Sequence, residues 1–372
     1  MSWINRFSSA LFSRDIFIML NITVLLFLIV NFVFVYFSPS IIPLLPSDFV
    51  RSVSGCYRTL FHFGDAQLDG NTKYEIVHGD SYSEGSGDEF LNGDRNYGIF
   101  RKLTSDTERS FMVFGRGGFG NLRTVIEESR CAPLLTKYTS FEYKDTQVER
   151  VTLVFYEGND LYNNLRELGY SSSGIKHKLR FFLPLFDYTL KKIDGVRKQV
   201  KRWMTDETTT ELNEAQSDLP FPISDSGIKI AGYPPSAPVE LTDVELETSL
   251  NVLSQSLTSI QMDNPEQRLQ LLYLPSVASS YSFSGALPVK SYNGGKYFLT
   301  NGNINRERSG EIRARIQTIA SSIGWEFCDV TEDILATSST GVALHGPRDW
   351  GHFNKDGYTI VKNAYLKCFQ DE

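Results

Sequence analysis

The chain has no basic excess: 37 Lys and Arg face 44 Asp and Glu, a net charge of −7. A nucleic-acid binder needs a basic face to displace counterions from phosphate, so that class of partner is set aside. No internal repeat of about 20–50 residues is visible, which excludes solenoids and propellers. Cysteine is scarce, and Cys56, Cys131, Cys328 and Cys368 are too far apart in sequence for a zinc motif. Apolar residues are plentiful: 41% of the 372 residues are hydrophobic and 13% aromatic, enough to bury a core. The length fits about two domains, or one large domain with an insertion.

Charge is absent altogether between Ile16 and Ser47, and Ile16 to Phe37 is almost wholly Ile, Leu, Val, Phe and Met. A membrane-crossing helix needs about 20 apolar residues, and this run supplies them. Arg6 and Arg14 precede it and the next basic residue is Arg51, so the positive-inside tendency keeps a short tail in the cytoplasm and exports the rest. A cleaved signal peptide has a shorter apolar stretch and a small-x-small site, which Phe37-Ser38-Pro39-Ser40 does not offer. The expected location is the cell inner membrane, single-pass, with the main domain on the periplasmic, extracytoplasmic side. All four cysteines lie beyond the anchor, where two disulfides fit. Three pairings are possible, and Cys328 with Cys368 is the first choice because they flank the last strand and the last helix.

Short apolar runs follow: Tyr74–Val77, Phe111–Phe114, Val151–Tyr156, Leu269–Leu274 and Trp325–Val330, separated by helix-like stretches. Several are continuously apolar rather than alternating, as buried parallel strands are. The expected fold class is α/β, a parallel sheet between helical layers. The rhythm breaks at about Ser171. Lys176–Arg202 is strongly basic, with Phe182, Leu185, Phe186, Leu190, Ile193, Val200 and Trp203 near helical spacing. Such a helix can rest on anionic lipid or grip an acidic glycan, but its apolar stripe is expected to cover the domain's own core. An acidic Ser/Thr/Pro-rich loop comes next. The expected organisation is a tail 1–15, an anchor 16–38, a linker 39–70, an α/β domain in two parts, 71–170 and 265–372, and an insertion 171–264.

Ligands of open parallel sheets bind at the carboxyl ends of the strands. Here those ends carry His78-Gly79-Asp80-Ser81-Tyr82-Ser83-Glu84-Gly85, then Gly115-Arg116-Gly117-Gly118-Phe119-Gly120-Asn121, then Glu157-Gly158-Asn159-Asp160, and near the carboxyl terminus Asp349-Trp350-Gly351-His352-Phe353-Asn354. The Ser81 hydroxyl becomes a nucleophile only when a base takes its proton. His352 can be that base, with Asp349 holding its tautomer. The amides of Ser81 and Gly118 and the side chain of Asn159 can serve as oxyanion donors.

Gly-Asp-Ser, a glycine block, Gly-x-Asn-Asp and Asp-x-x-His, in that order, resemble the signature of the SGNH, or GDSL, hydrolases. The resemblance spans about residues 74–170 and 269–367. It implies Ser81 as nucleophile, Gly118 and Asn159 as oxyanion donors, His352 as base and Asp349 as its orienter. It also implies a flavodoxin-like three-layer α/β/α fold with no cofactor and no metal. The chain is similar to membrane-anchored members associated with bacterial surface-polysaccharide acylation or deacylation. The expected activity is therefore a serine esterase acting on acyl esters, foremost acetyl, of an envelope glycan. An O-acyltransferase with the same triad and a non-catalytic glycan-binding scaffold are the alternatives, and polysaccharide-synthesis proteins are possible partners. The glycine block lacks the Asn that often precedes it, so Gly117 competes with Gly118, and the insertion matches no known pattern.

Two rivals share these residues. Gly115-x-Gly117-x-x-Gly120 satisfies a dinucleotide fingerprint, with Glu142 at the distance of a ribose-binding acid. His345, Asp349 and His352 are all residue types that bind zinc. His62, His78 and His177 have no assignable partner.

Overall fold

The computed structural model describes residues 14–53, 55–62, 73–94, 96–107, 109–141, 148–168, 178, 180–205, 219–235, 237–292 and 296–369. Arg6, Glu142, His177 and the acidic stretch 206–218 lie outside them, as do the side chains of Val200 and Trp203.

Five strands form one parallel sheet: β1 (Tyr74–Gly79), β2 (Ser110–Gly115), β3 (Val148–Tyr156), β4 (Arg268–Leu274) and, last in sequence, β7 (Glu326–Asp329). Their order is β2-β1-β3-β4-β7, the flavodoxin-like arrangement, and every neighbouring pair is parallel. All five expected runs are strands, because a strand covered on both faces is apolar along most of its length. The two faces separate cleanly. Ile76, Met112, Leu153 and Leu271 point into one core, and Val77, Val113, Val154 and Leu272 into the other.

Helices cover both faces. The longer ones, in chain order, are α1 (Arg14–Ile41), α2 (Gly98–Thr107), α3 (Asn121–Tyr138), α4 (Asp160–Glu167), α5 (Pro184–Thr205), α6 (Asp243–Asp263), α7 (Gly302–Ser322), α8 (Thr331–Ser338) and α9 (Lys355–Cys368). Residues of α3, α6 and α7 fill the first core, and residues of α2, α8 and α9 the second. Helix α6 begins with a capping box, in which Thr242 and Glu245 satisfy each other's backbone amides. It falls within the stretch expected as an insertion, yet Leu246, Leu250, Leu253, Leu257 and Ile260 are core residues. It is the crossover helix between β3 and β4.

The stretch read as a linker also enters the core. Val50, Val53, Cys56, Tyr57, Leu60 and Phe61 are all buried there. The segment then runs beside the edge strand β2, where Thr59 and His62 carbonyls accept from Val113 N–H at 3.2 Å and Phe111 N–H at 3.3 Å. Disulfides join Cys56 to Cys131 and Cys328 to Cys368, the second being the pairing expected.

One helical span, Ile16–Leu44, is long and apolar enough to cross a membrane, with a mean hydropathy of 2.7. Its first half is bare. From Asn31 onward one face packs on the domain: Asn31, Phe34, Val35 and Ser38 are buried, and Tyr36 O accepts from Ser140 N–H at 2.8 Å. Helix α5 carries a correction. Phe186, Leu190, Ile193 and Val196 are exposed, so this row does not cover the domain's core as expected.

A small antiparallel hairpin, β5 (Ala286–Lys290) with β6 (Tyr297–Asn301), stands outside the main sheet. Leu287 and Val289 pack with Ile228 and Ile230 of the preceding loop and with Tyr281 and Phe283. Trp350 leans on this satellite core, which therefore walls one side of the loop that carries His352.

Candidate active site

Strand β1 ends at Gly79, and Asp80 caps a single helical turn, Ser81–Glu84, by accepting from Tyr82 N–H at 2.9 Å. Ser81 is thus fixed at the first position of that turn, 6% exposed. The close approach of β2 depends on glycine: a Cβ on Gly115 would fall 1.8 Å from Ser83 Oγ. His352 comes from the opposite end of the sequence, on the loop before α9. Asn354 caps that helix by accepting from Asp356 and Gly357 N–H, and it donates to Ala343 O at 2.9 Å, which ties down both ends of the loop.

These elements bring three expected residues together. Ser81 Oγ lies 2.8 Å from His352 Nε2, and His352 Nδ1 lies 2.7 Å from Asp349 Oδ2. With Nδ1–H donating to the carboxylate, Nε2 is left as the acceptor of the serine proton. Burial alone would raise Asp349, but the hydrogen bond and charge of His352, with Gly351 N–H donating at 2.9 Å, hold it below the usual range. It stays an anion.

The expected oxyanion donors come from loops that neighbour Ser81: a Cβ on Gly117 would fall 3.8 Å from Ser81 Cβ, and the Asn159 side chain bonds to Asp80. Gly118 has φ +76°, a left-handed conformation that disfavours a side chain even though the space around it is open. The neighbouring Gly117 N–H donates to Glu84 Oε2 at 3.3 Å, so of the two glycines Gly118 keeps its amide free among the described hydrogen bonds. Asn159 precedes α4, and its side-chain amide bonds to Asp80. An amide carries two N–H donors, so one remains for a substrate oxygen. Below them Asp80 and Asp160 are fully buried. Desolvation raises both, and the charge of Asp80 raises Asp160 further.

Two residues that the sequence reading passed over hold the histidine loop. Asp88 is 6% exposed, and its Oδ1 accepts from Asp349 N–H at 2.7 Å and Arg348 N–H at 3.1 Å. Tyr82 donates its hydroxyl to Gly351 O at 2.7 Å, with its ring 5.0 Å from that of His352. Tyr82 directly follows Ser81, so a hint was present; nothing in the sequence pairs Asp88 with a backbone 260 residues away.

The rivals fare differently. A pyrophosphate would need the amides at the start of α3, but Gly120 N–H and Arg123 N–H donate to Glu167 at 2.7 and 3.0 Å, and Asn121 N–H to Asn164 at 2.8 Å. The protein's own carboxylate fills the dinucleotide position. His345 turns Nδ1 towards the Tyr281 hydroxyl at 3.0 Å rather than towards Asp349, and burial lowers its pKa to about 3. Cys56, Glu127 and Cys131 cluster as metal ligands would, but their disulfide leaves no thiolate.

No protein-family model and no curated relative matches the sequence. Solved structures similar to it include a phospholipase A1 from Streptomyces albidoflavus NA297, with 14% identity, 80% of this chain and 98% of that one covered, and a TM-score of 0.37. A catalytic variant of the acetylxylan esterase Axe2 from Geobacillus stearothermophilus has 11% identity, coverage of 82% and 98%, and a TM-score of 0.36. LAE5, an alpha/beta hydrolase from the metagenome of Lake Arreo, Spain, has 11% identity, coverage of 82% and 97%, and a TM-score of 0.34. Likenesses this remote transfer no activity and no residue role.

Proposed function

We propose that the chain is a membrane-anchored serine esterase of the SGNH type, acting on acyl esters, foremost acetyl, of a glycan outside the cytoplasmic membrane. The observation that carries this reading is the continuous hydrogen-bonded line from Ser81 through His352 to Asp349. His352 takes the Ser81 proton as Oγ attacks the ester carbonyl. The tetrahedral oxyanion is held by Ser81 N–H, Gly118 N–H and the Asn159 amide. His352 then returns the proton to the leaving sugar oxygen, and water attacks the acyl-enzyme by the same base.

The anchor reading is supported by the packing of Asn31, Phe34, Val35 and Ser38, which cleavage of a signal peptide would strip from the domain. Two disulfides fit an oxidising compartment. The substrate reading draws on placement. Helix α3 starts beside the glycine block and ends at Tyr138, next to Ser140 on α1; its 18 residues span about 27 Å. That separation between the site and α1 favours a polymer in the aqueous phase over a bilayer lipid as substrate. Tyr233 and Tyr297, 4.5 Å apart, offer rings for the apolar faces of sugars, and the adjacent Gly232 packs against Trp350 beside the histidine.

The test is to treat the full-length protein in detergent with a fluorophosphonate, map the adduct, and follow a chromogenic acetyl ester. An adduct on Ser81 and turnover lost in Ser81→Ala are expected. A folded protein with neither would overturn the enzyme reading in favour of a glycan-binding scaffold. Added glycan acceptors that capture the acetyl group would identify a transferase.

A further inference from the structure

We infer that helix α5, with the recess beside its start, is a second membrane contact: it lies in the extracytoplasmic headgroup layer of the bilayer crossed by α1 and takes anionic lipid. This rests on the reading of α1 as an anchor.

The exposed row is the first observation. Phe186, Leu190, Ile193 and Val196 are 44%, 48%, 58% and 61% exposed. Their spacing of three and four puts them on one face of the helix. The helix does have a domain-facing flank: Leu185 packs against the first core, and Tyr188 meets Phe49 at 4.7 Å. The apolar row is a separate strip left bare beside it.

Continuity with the anchor says what covers that strip. Asn31 of α1 accepts from Leu185 N–H at 3.2 Å, and Phe186 meets Phe27 edge-on at 6.3 Å. The hydrocarbon layer is about 30 Å thick, so a helix that enters it at Ile16 leaves it near Tyr36. Asn31 is five residues earlier, about 8 Å inside that boundary. Interfacial helices settle about 5–10 Å deep, and the start of α5 is pinned at that level.

Charge then selects the lipid. A recess of about 400 Å³ beside Phe182 is lined by the apolar Pro133, Leu134 and Tyr138 together with Arg130, Lys137 and Lys178. Among the described residues no acidic side chain forms an ion pair with these three cations. A lining that is partly apolar and partly cationic suits an acyl chain with an anionic headgroup. An acidic glycan would satisfy the cations but leave Leu190, Ile193 and Val196 in water.

The test places the full-length chain in nanodiscs of equimolar phosphatidylcholine and phosphatidylglycerol, with photoreactive benzoylphenylalanine at Ile22, Ile193 or, as a control, Val244, which is 76% exposed on α6. After irradiation, lipid adducts at Ile22 and Ile193 are expected to exceed those at Val244 by about five-fold or more. Adducts at Ile193 should favour phosphatidylglycerol by about three-fold, and Arg130→Glu with Lys137→Glu should abolish that preference without changing ester turnover. Strong labelling at Ile22 with only control-level labelling at Ile193 overturns the inference and leaves the anchor standing. No labelling at Ile22 overturns the anchor itself. Labelling at Ile193 with no headgroup preference overturns the assignment to anionic lipid.

Discussion

The hydroxyl of Tyr82 donates to the carbonyl of Gly351 at 2.7 Å, which ties the residue after the serine to the residue before the histidine. Asp88 makes a parallel clamp on Asp349 N–H. The distance between nucleophile and base is thus set by contacts outside the triad. Tyr82→Phe is expected to lower kcat about ten-fold and leave the fold intact, since a small misplacement of the base is costly. Asp88→Ala strips the acceptor from two amides and should cost about 1–3 kcal/mol of stability as well, read from the denaturant midpoint. Full activity in both variants would refute the clamp.

Within the triad the losses should be unequal. Ser81→Ala and His352→Ala are expected to reduce kcat by about 10⁶, and Asp349→Ala by about 10⁴, because water or a carbonyl partly orients a histidine. The double variant Ser81→Ala with His352→Ala should be no worse than either alone, as residues that act as a unit are not additive. Steady-state kinetics on the chromogenic ester decides this.

Asn159→Ala should lower kcat by about 10²–10³ with KM nearly unchanged, the mark of a donor used in the transition state. Gly118→Ala acts through the backbone instead, because a Cβ meets nothing there but φ is +76°. Its expected effect is a similar loss of kcat with about 1 kcal/mol of destabilisation.

Acid should destabilise the domain through two buried imidazoles. Desolvation lowers His62 and His345 to about 3, with Arg101 adding to the effect on His62 and the charge of His352 to that on His345. The unfolded chain protonates both near 6.5 and the folded chain does not, so stability falls as pH drops from 6.5 towards 3. Between pH 6.5 and 5 each is expected to contribute a loss of about 2 kcal/mol. His345→Gln should flatten the dependence of the denaturant midpoint on pH; an unchanged slope would refute the assignment. Asp349 adds its own loss only below about pH 4, where the unfolded chain's carboxyl takes up a proton while the depressed folded carboxylate still resists it.

Reduction of Cys56–Cys131, which closes 75 residues, should cost roughly 4 kcal/mol. Cys56→Ser with Cys131→Ser, followed by chemical denaturation, measures it.

The sheet was legible because buried parallel strands leave an unbroken apolar run. The hairpin was not: Ala286–Lys290 contains Pro288, and much of Tyr297–Asn301 is half-exposed, so neither reads as a strand. Helix α6 escaped because small polar residues, Ser249 and Ser256, sit in its buried face and blur the periodicity. The site's reacting side chains announce themselves at strand ends. Their supports do not, since Asp88 works on main-chain amides whose position only the fold determines. The stripe on α5 was visible, but its direction was not, because a sequence shows that a face is apolar without showing what will cover it.

The pairing of Thr59 and His62 with β2 makes the segment that follows the anchor part of the sheet's border. Exposed strand edges template association between copies. A shortened chain that begins at Lys73 would present β2 bare and leave Cys131 without its partner, inviting aggregation through that edge. One that begins just after Leu44 keeps both protections. Because residues 55–62 are synthesised before any strand, the cover for β2 is in place when β2 arrives. The order of synthesis thus guards the β2 edge of the sheet.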